Sequence, residues 1–282
     1  TDSSGRMSYM QVRYPGFEVS PGNELNGITM AGVGSGTFFQ NIQFHNSSDD
    51  GVEWFGGRVN GKNLAFTGID DDSVDSDSGY QGANQYVLAV QRVGGGDHVM
   101  EADSNGDEDA EPRQRHLLAN VTFVSSGQDH VILLRGGGDY EFYNSVFNST
   151  AACIDIDSAT TIQVAGAAAD EKGPPVFQSL FMSCATSFVD DGNITVAQIQ
   201  TIFNAGTNNT ASGTSTLANA SGAFPFINGA NENGVTPFAA SGASAFFEDA
   251  AYIGAVKDAN DARFKGWTCG LYANDCIVAP TI

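Results

Sequence analysis

Carboxylates are the residues best placed to do chemistry in this 282-residue chain, and they recur. Asp49-Asp50, Asp70-Asp71-Asp72, Asp97 and Asp129 come first in successive segments. Glu53, Asp75, Glu101 and Asp155 follow a few positions later, and then Asp77, Asp103 and Asp157. Stacked at the ~4.8 Å spacing of neighbouring strands, such side chains repel and raise one another's pKa unless a cation or a donor intervenes. Calcium suits them, because it takes about six to eight oxygens in a flexible shell.

A compact loop adds to this. Asp103-Ser104-Asn105-Gly106-Asp107-Glu108-Asp109 offers an oxygen at every second residue around a glycine, like the first half of an EF-hand loop, although the twelfth position is Gln114 rather than Glu. The expected metal ligands are therefore Asp71, Asp72, Asp75, Asp77, Glu101, Asp103, Asn105, Asp107 and Asp109, with calcium as the cofactor. The competing reading is a solvated acidic face that keeps the protein soluble.

Other chemistries are less well supported. His98 and His130 share a repeat position (GDHV and QDHV) and could meet in space, but a His–Asp dipeptide on a turn reads first as structural, and zinc needs converging ligands. His45 and His116 stand alone, and Ser35 in GVGSG is not at the centre of a nucleophile elbow. A polysaccharide lyase would need a basic residue beside calcium, and Arg113 and Arg115 are the candidates, yet the net charge of −21 repels a polyuronate. A glycosidase with paired carboxylates also fits so acidic a chain. No catalytic residue is assigned, and the balance leans away from an enzyme. Trp54, Phe55, Tyr80, Tyr140, Phe142, Tyr143 and Trp267 could stack on sugar rings if they face outward, but burial is the ordinary fate of such residues.

Composition narrows the field further. Twelve Lys and Arg against 33 Asp and Glu exclude a nucleic-acid partner, and no apolar run is long enough to span a bilayer. The opening TDSSGRMSYMQVRYPG lacks the features of a signal peptide and reads as a trimmed product of a longer precursor. Four cysteines without a CxxC pattern favour disulfides in an oxidising, exported setting. Cys269 and Cys276 suit a local bridge, and Cys153 pairs with Cys184 if the two lie on neighbouring turns of the fold.

Positioning the carboxylates calls for a repeating frame. The strands QNIQF, KNLAF, YVLAV, ANVTF, YNSVF and FQSLF end at Phe44, Phe66, Val90, Phe123, Phe147 and Phe181, at steps of 22, 24, 33, 24 and 34 residues. A 22–24-residue unit with two insertions fits one coil of a right-handed parallel β-helix, an all-β solenoid. About 22 residues at ~3.3 Å each trace some 70 Å, enough for three short sheets round a dry core. The Phe ladder fills that core, and Asn41, Asn63, Asn120 and Asn144 recur as a turn device, since Asn tolerates the left-handed region. The repeat fades by residue 193. Residues 1–193 are thus the coils, and 194–282 a loop-rich segment that packs on the solenoid and caps it, with one short helix over 195–203 and Thr195 as its N-cap.

Four stretches resemble a known group. ELNGITMAGVGSGT, DDGVEWFGGRVNGKNLAF, GIDDDSVDSDSGYQG and YIGAVKDANDARFKGWTCG are similar to motifs of exported bacterial β-helix surface proteins and lipoproteins, a family without an established activity. The resemblance covers most of residues 8–104 and 245–270, and it implies fold and export rather than a reaction. At the level of the superfold alone the chain is similar to pectate lyases, which does not license a function. The expected protein is a secreted or cell-surface, calcium-stabilised β-helix acting without catalysis in glycan binding, attachment or end-to-end self-assembly. The alternative is a polysaccharide lyase or glycoside hydrolase.

Overall fold

The computed structural model describes residues 2–20, 25–104, 106–125, 129–190, 192–220 and 224–272. Apolar alternation and Gly/Asp turns give two kinds of strand. Seven long ones form a parallel sheet in chain order: β1 (Arg6–Arg13), β3 (Phe38–His45), β5 (Asn60–Thr67), β7 (Ala83–Val90), β9 (Arg115–Val124), β11 (Asp139–Asn148) and β13 (Val176–Ser183). Seven short ones form the second: β2 (Ile28–Ala31), β4 (Val52–Phe55), β6 (Val74–Asp77), β8 (Met100–Ala102), β10 (Ile132–Leu134), β12 (Ala152–Ile156) and β14 (Thr186–Phe188). Each coil contributes one strand to each sheet, so the chain is a parallel β-helix.

Two sheets, not three, make the walls. The long sheet carries a corner in every strand. Asn41, Asn63, Asn120 and Asn144 sit there with φ of 53–56°, and Tyr9, Tyr86 and Ser179 take the equivalent place in the other three strands. Each corner residue drops out of the register, as Asn41 and Asn63 do between Gln40↔Lys62 and Ile42↔Leu64. Asn tolerates this left-handed backbone better than other side chains, and Asn63 Nδ2 donates to Asn41 Oδ1 at 2.9 Å across one rung. The corner gives the long sheet two arms and the coil three sides.

Side chains then stack rung on rung. Phe44 lies flat on Phe66 with centroids 4.9 Å apart, and Phe123 on Phe147 at 5.4 Å. The full ladder is Phe44, Phe66, Ala89, Phe123, Phe147 and Met182. Phe181, expected in it, instead faces outward, as does Val90, the strand end at the same repeat position; each is one residue out of step, and these are two of the coils whose corner is not Asn. Cys153 on β12 is bonded to Cys184 just after β13, which ties neighbouring coils across a separation of 31 residues. Such a bridge stabilises by roughly 2–4 kcal/mol. Cys269 is also disulfide-bonded, and its expected partner Cys276 lies outside the described residues.

Helix α1 (Val196–Ala205) opens on Thr195, whose side chain accepts from the Gln198 amide in a capping box. It buries Ile199 and Phe203, the latter against Phe177 and Phe188 of the last coil. From there the chain returns along the outer face of the long sheet. Asn144 meets Phe238, Gln85 meets Glu248, Asn120 meets Tyr252 and Gln43 meets Cys269, in each case side-chain amide to backbone. Phe226, Val256, Phe264 and Leu271 pack there on Leu88, Val90 and Val124. The segment thus lies lengthwise along the long sheet, and α1 packs against the last coil.

Candidate functional site

The outer face of the short sheet holds the acidic residues. Its strands alternate buried and half-buried, so Val74 and Ser76 point inward while Asp75 and Asp77 point out. Register partners bring Glu53, Asp75 and Glu101 into one row, which Leu133 interrupts before Asp155. On the turn just before, Asp50 Oδ1 accepts the Asp72 amide at 3.1 Å, and Asp72 Oδ1 accepts the His98 amide at 2.8 Å. A second row therefore runs Asp50, Asp72, His98. Oxygens of Asp50, Glu53 and Asp75 all lie within 4.8 Å of one another, as do those of Asp49, Asp50 and Asp71.

This crowding has an electrostatic cost. Burial first, then repulsion from Asp72, Asp71, Asp49 and Glu53, pushes the Asp50 carboxyl well above the ordinary range. Asp72 is raised by burial, then by Glu101 and Asp71, and Asp75 by burial, then by Asp50, Asp72, Glu53 and Glu101. Burial raises Glu53, Asp71 and Asp77 too, against hydrogen bonds from Asn26 to Glu53 and from Ser78 to Asp77. Asp75 Oδ1 is buried and has no hydrogen-bond partner among the described residues. Nearby cations are few: Arg92 pairs with Asp70, and Arg135 with Glu101 and Asp103.

The nine expected ligands divide. Asp71, Asp72, Asp75, Asp77 and Glu101 share this face, and Asp103 joins them through Arg135. Asp109 points elsewhere, to Arg113 at 3.0 Å and Gln163 at 2.9 Å, while Asp107 is exposed and Asn105 lies outside the described residues. Among the described residues of this stretch, Asp103, Asp107 and Asp109 do not form a group of close ligand atoms. Arg113, the possible lyase base, is 2 % exposed and clamped by Glu171, Asp139 and Asp109. Arg115 is paired with Glu141 at 2.6 Å. Burial alone would lower Arg135, but Glu101 and Asp103 outweigh it and hold the guanidinium above its usual value. All three guanidinium groups are held by carboxylates.

A family model described as a pectate-lyase like β-helix domain matches residues 1–224. The chain belongs to this family. No curated protein and no solved structure matches it. Membership of the pectate-lyase-like β-helix family agrees with the coil geometry and covers the whole acidic face. Among the described residues no helix is long and apolar enough to cross a membrane.

Two side-chain classes that the sequence leaves open are placed by the fold. Trp54, Tyr80, Tyr140, Phe142 and Tyr143 are buried and unavailable for stacking on sugars, whereas Phe55 and Trp267 remain partly exposed. Conversely, His98 and His130 do meet, with ring centroids 5.7 Å apart. Their shared repeat position is the signal, and the long insertion between them obscures it. His116 is interior: burial lowers it to about 3, and Asn84 and Ser76 hold its neutral ring. At the start of β5, β7 and β9 a cavity of about 430 Å³ is lined by residues that include Arg58, Arg115 and Lys172.

Proposed function

We propose that this β-helix binds calcium on the outer face of its short sheet and engages extracellular glycan there without cleaving it. The observation that supports the reading best is the triplet Asp50, Glu53 and Asp75, whose oxygens lie within 4.8 Å of one another, with the buried Asp75 Oδ1 meeting no donor among the described residues. A hard dication relieves that repulsion and keeps coordination positions for sugar hydroxyl or carboxylate oxygens. Ionised uronates, which the net charge repels, become acceptable once the face is loaded. The disulfide and the family favour an exported, secreted or cell-surface setting.

Absence of catalysis rests on the clamped state of Arg113, Arg115 and Arg135. One observation favours the other reading, a glycoside hydrolase. Asp50, Asp72 and Asp75 are carboxyls that keep their protons to higher pH beside less perturbed acids, as a general acid requires. The test is a thermal melt in calcium and in EGTA, run beside a glycan array and an assay for new reducing ends and unsaturated uronates. Calcium-dependent stabilisation with glycan retention and no new ends supports the proposal. No calcium effect, or turnover, overturns it.

A further inference from the structure

Next to the acidic triplet lies a group of different ligand chemistry. His98 is 8 % exposed at its side chain, and its ring makes no hydrogen bond among the described residues. Its Nδ1 stands 3.4 Å from Asp72 Oδ1 and 3.8 Å from Asp97 Oδ2, and its Nε2 looks the other way, 3.9 Å from Asp129 Oδ1. His130 arrives one coil later, with Nδ1 3.0 Å from the same Asp129 oxygen and 3.5 Å from Asp155 Oδ2, yet likewise without a hydrogen bond. Asp129 Oδ1 accepts the His130 amide at 2.8 Å, which fixes the carboxylate on its turn. One ligand atom from each of His98, Asp129 and His130 falls within 4.8 Å of the others.

One ring nitrogen of each histidine and the Asp129 oxygen lie close together, and no side-chain hydrogen bond joins them among the described residues. A tetrahedral zinc ion with N and O ligands at ~2.0–2.1 Å sets its ligand atoms about 3.3 Å apart, and the observed 3.0 and 3.9 Å bracket that edge. Imidazole also separates this group from the all-oxygen triplet, since it suits zinc-class ions and calcium does not use it. Asp72 stands on the far side of His98, where a carboxylate orients a metal-binding imidazole and selects its tautomer. We propose that His98, Asp129 and His130 bind a zinc-class ion, separate from the calcium-directed triplet, with Asp72 as the positioning residue. Three protein ligands leave the fourth position for solvent or a ligand oxygen.

The test uses the whole chain stripped of metal, titrated with Co²⁺ for the visible absorption of tetrahedral coordination and with Zn²⁺ by calorimetry. One equivalent should bind and give the band. His98→Ala and His130→Ala should each weaken zinc at least ~100-fold, and Asp72→Asn roughly 10–100-fold. If His98→Ala fails to fold, His130→Ala at its partly exposed position decides the matter. Absence of the band, or equal zinc affinity in folded His130→Ala, overturns the site. Calcium stabilisation should survive His130→Ala. Its loss there would make the two sites one and overturn their separation, while failure of calcium alone would leave the zinc site standing.

Discussion

Two carboxylate clusters lie in the same solenoid and are neutralised in opposite ways. Around Arg113 the cation is built in: the guanidinium, 2 % exposed, is shared among Glu171, Asp139 and Asp109, and Glu171 also accepts from Gln163 and the Gly173 amide. On the short sheet and the turn before it, oxygens of Asp50, Glu53 and Asp75 lie within 4.8 Å of one another and Asp72 adjoins them, with no lysine or arginine paired to any of them among the described residues. The first cluster carries its own cation, and Asp139 within it keeps a proton up to about pH 7. The second is complete only with protons or with a cation from outside, and that difference separates a structural network from a binding face.

The sharpest way to break the comparison is to remove the internal cation. Arg113→Met leaves Glu171 and Asp139 buried and unpaired, and it should cost about 3–5 kcal/mol in urea unfolding. Adding Glu171→Gln to that variant should recover part of the loss. A cost below about 1 kcal/mol would show that the cluster needs no cation, and the contrast would collapse. Calcium is the corresponding test of the other side. At ~100-fold above its dissociation constant it should add about 2.7 kcal/mol, and Asp75→Asn should remove most of that gain, read as a melting shift. Gln substituted for Glu171 should leave the calcium gain intact.

A smaller effect separates the clusters without any metal. In stripped protein Asp75→Asn deletes a repelled charge and keeps the shape, so stability should rise, on the order of 1 kcal/mol. Glu171→Gln deletes the partner of a buried guanidinium, and stability should fall in the same urea experiment. Equal signs would mean that the two environments do not differ as described.

Much of this is legible in the sequence because a solenoid stacks like on like. The period locates the coils, the row Glu53, Asp75, Glu101 and the Asn corners without any long-range information. The register slips by one at Val90 and Phe181, because the coils cornered by Tyr86 and Ser179 carry no Asn to mark the bend. Tyr86 holds its corner under the Arg263 guanidinium, 3.4 Å above its ring, a partner nearly 180 residues away that no local pattern announces. The Arg113 cluster is illegible for the same reason: its carboxylates at 109, 139 and 171 come from separate coils and insertions. Asp109 looks like a calcium ligand by spacing alone, and a buried arginine claims it.

The finest discrimination comes from pH. A carboxyl raised in the folded state binds its proton more tightly there than in the unfolded chain, so its contribution is present at low pH and is lost as pH rises through the folded value. Stripped protein should therefore melt higher at pH 5 than at pH 7.5. Both clusters contribute with this sign, since burial and then Glu171 push Asp139 up to about 7. Calcium tells them apart, because it binds only the ionised ladder and competes with its protons. At saturating calcium the ladder's share of the pH slope should vanish, leaving the Asp139 share in the window from about 4 to about 7. That remaining slope should disappear in Asp139→Asn and persist in Asp75→Asn. The shift from either carboxyl alone should be only a few degrees in melting temperature. If calcium erased the whole slope, the Asp139 cluster would be open to the ion as well, and the internal guanidinium would not be what completes it.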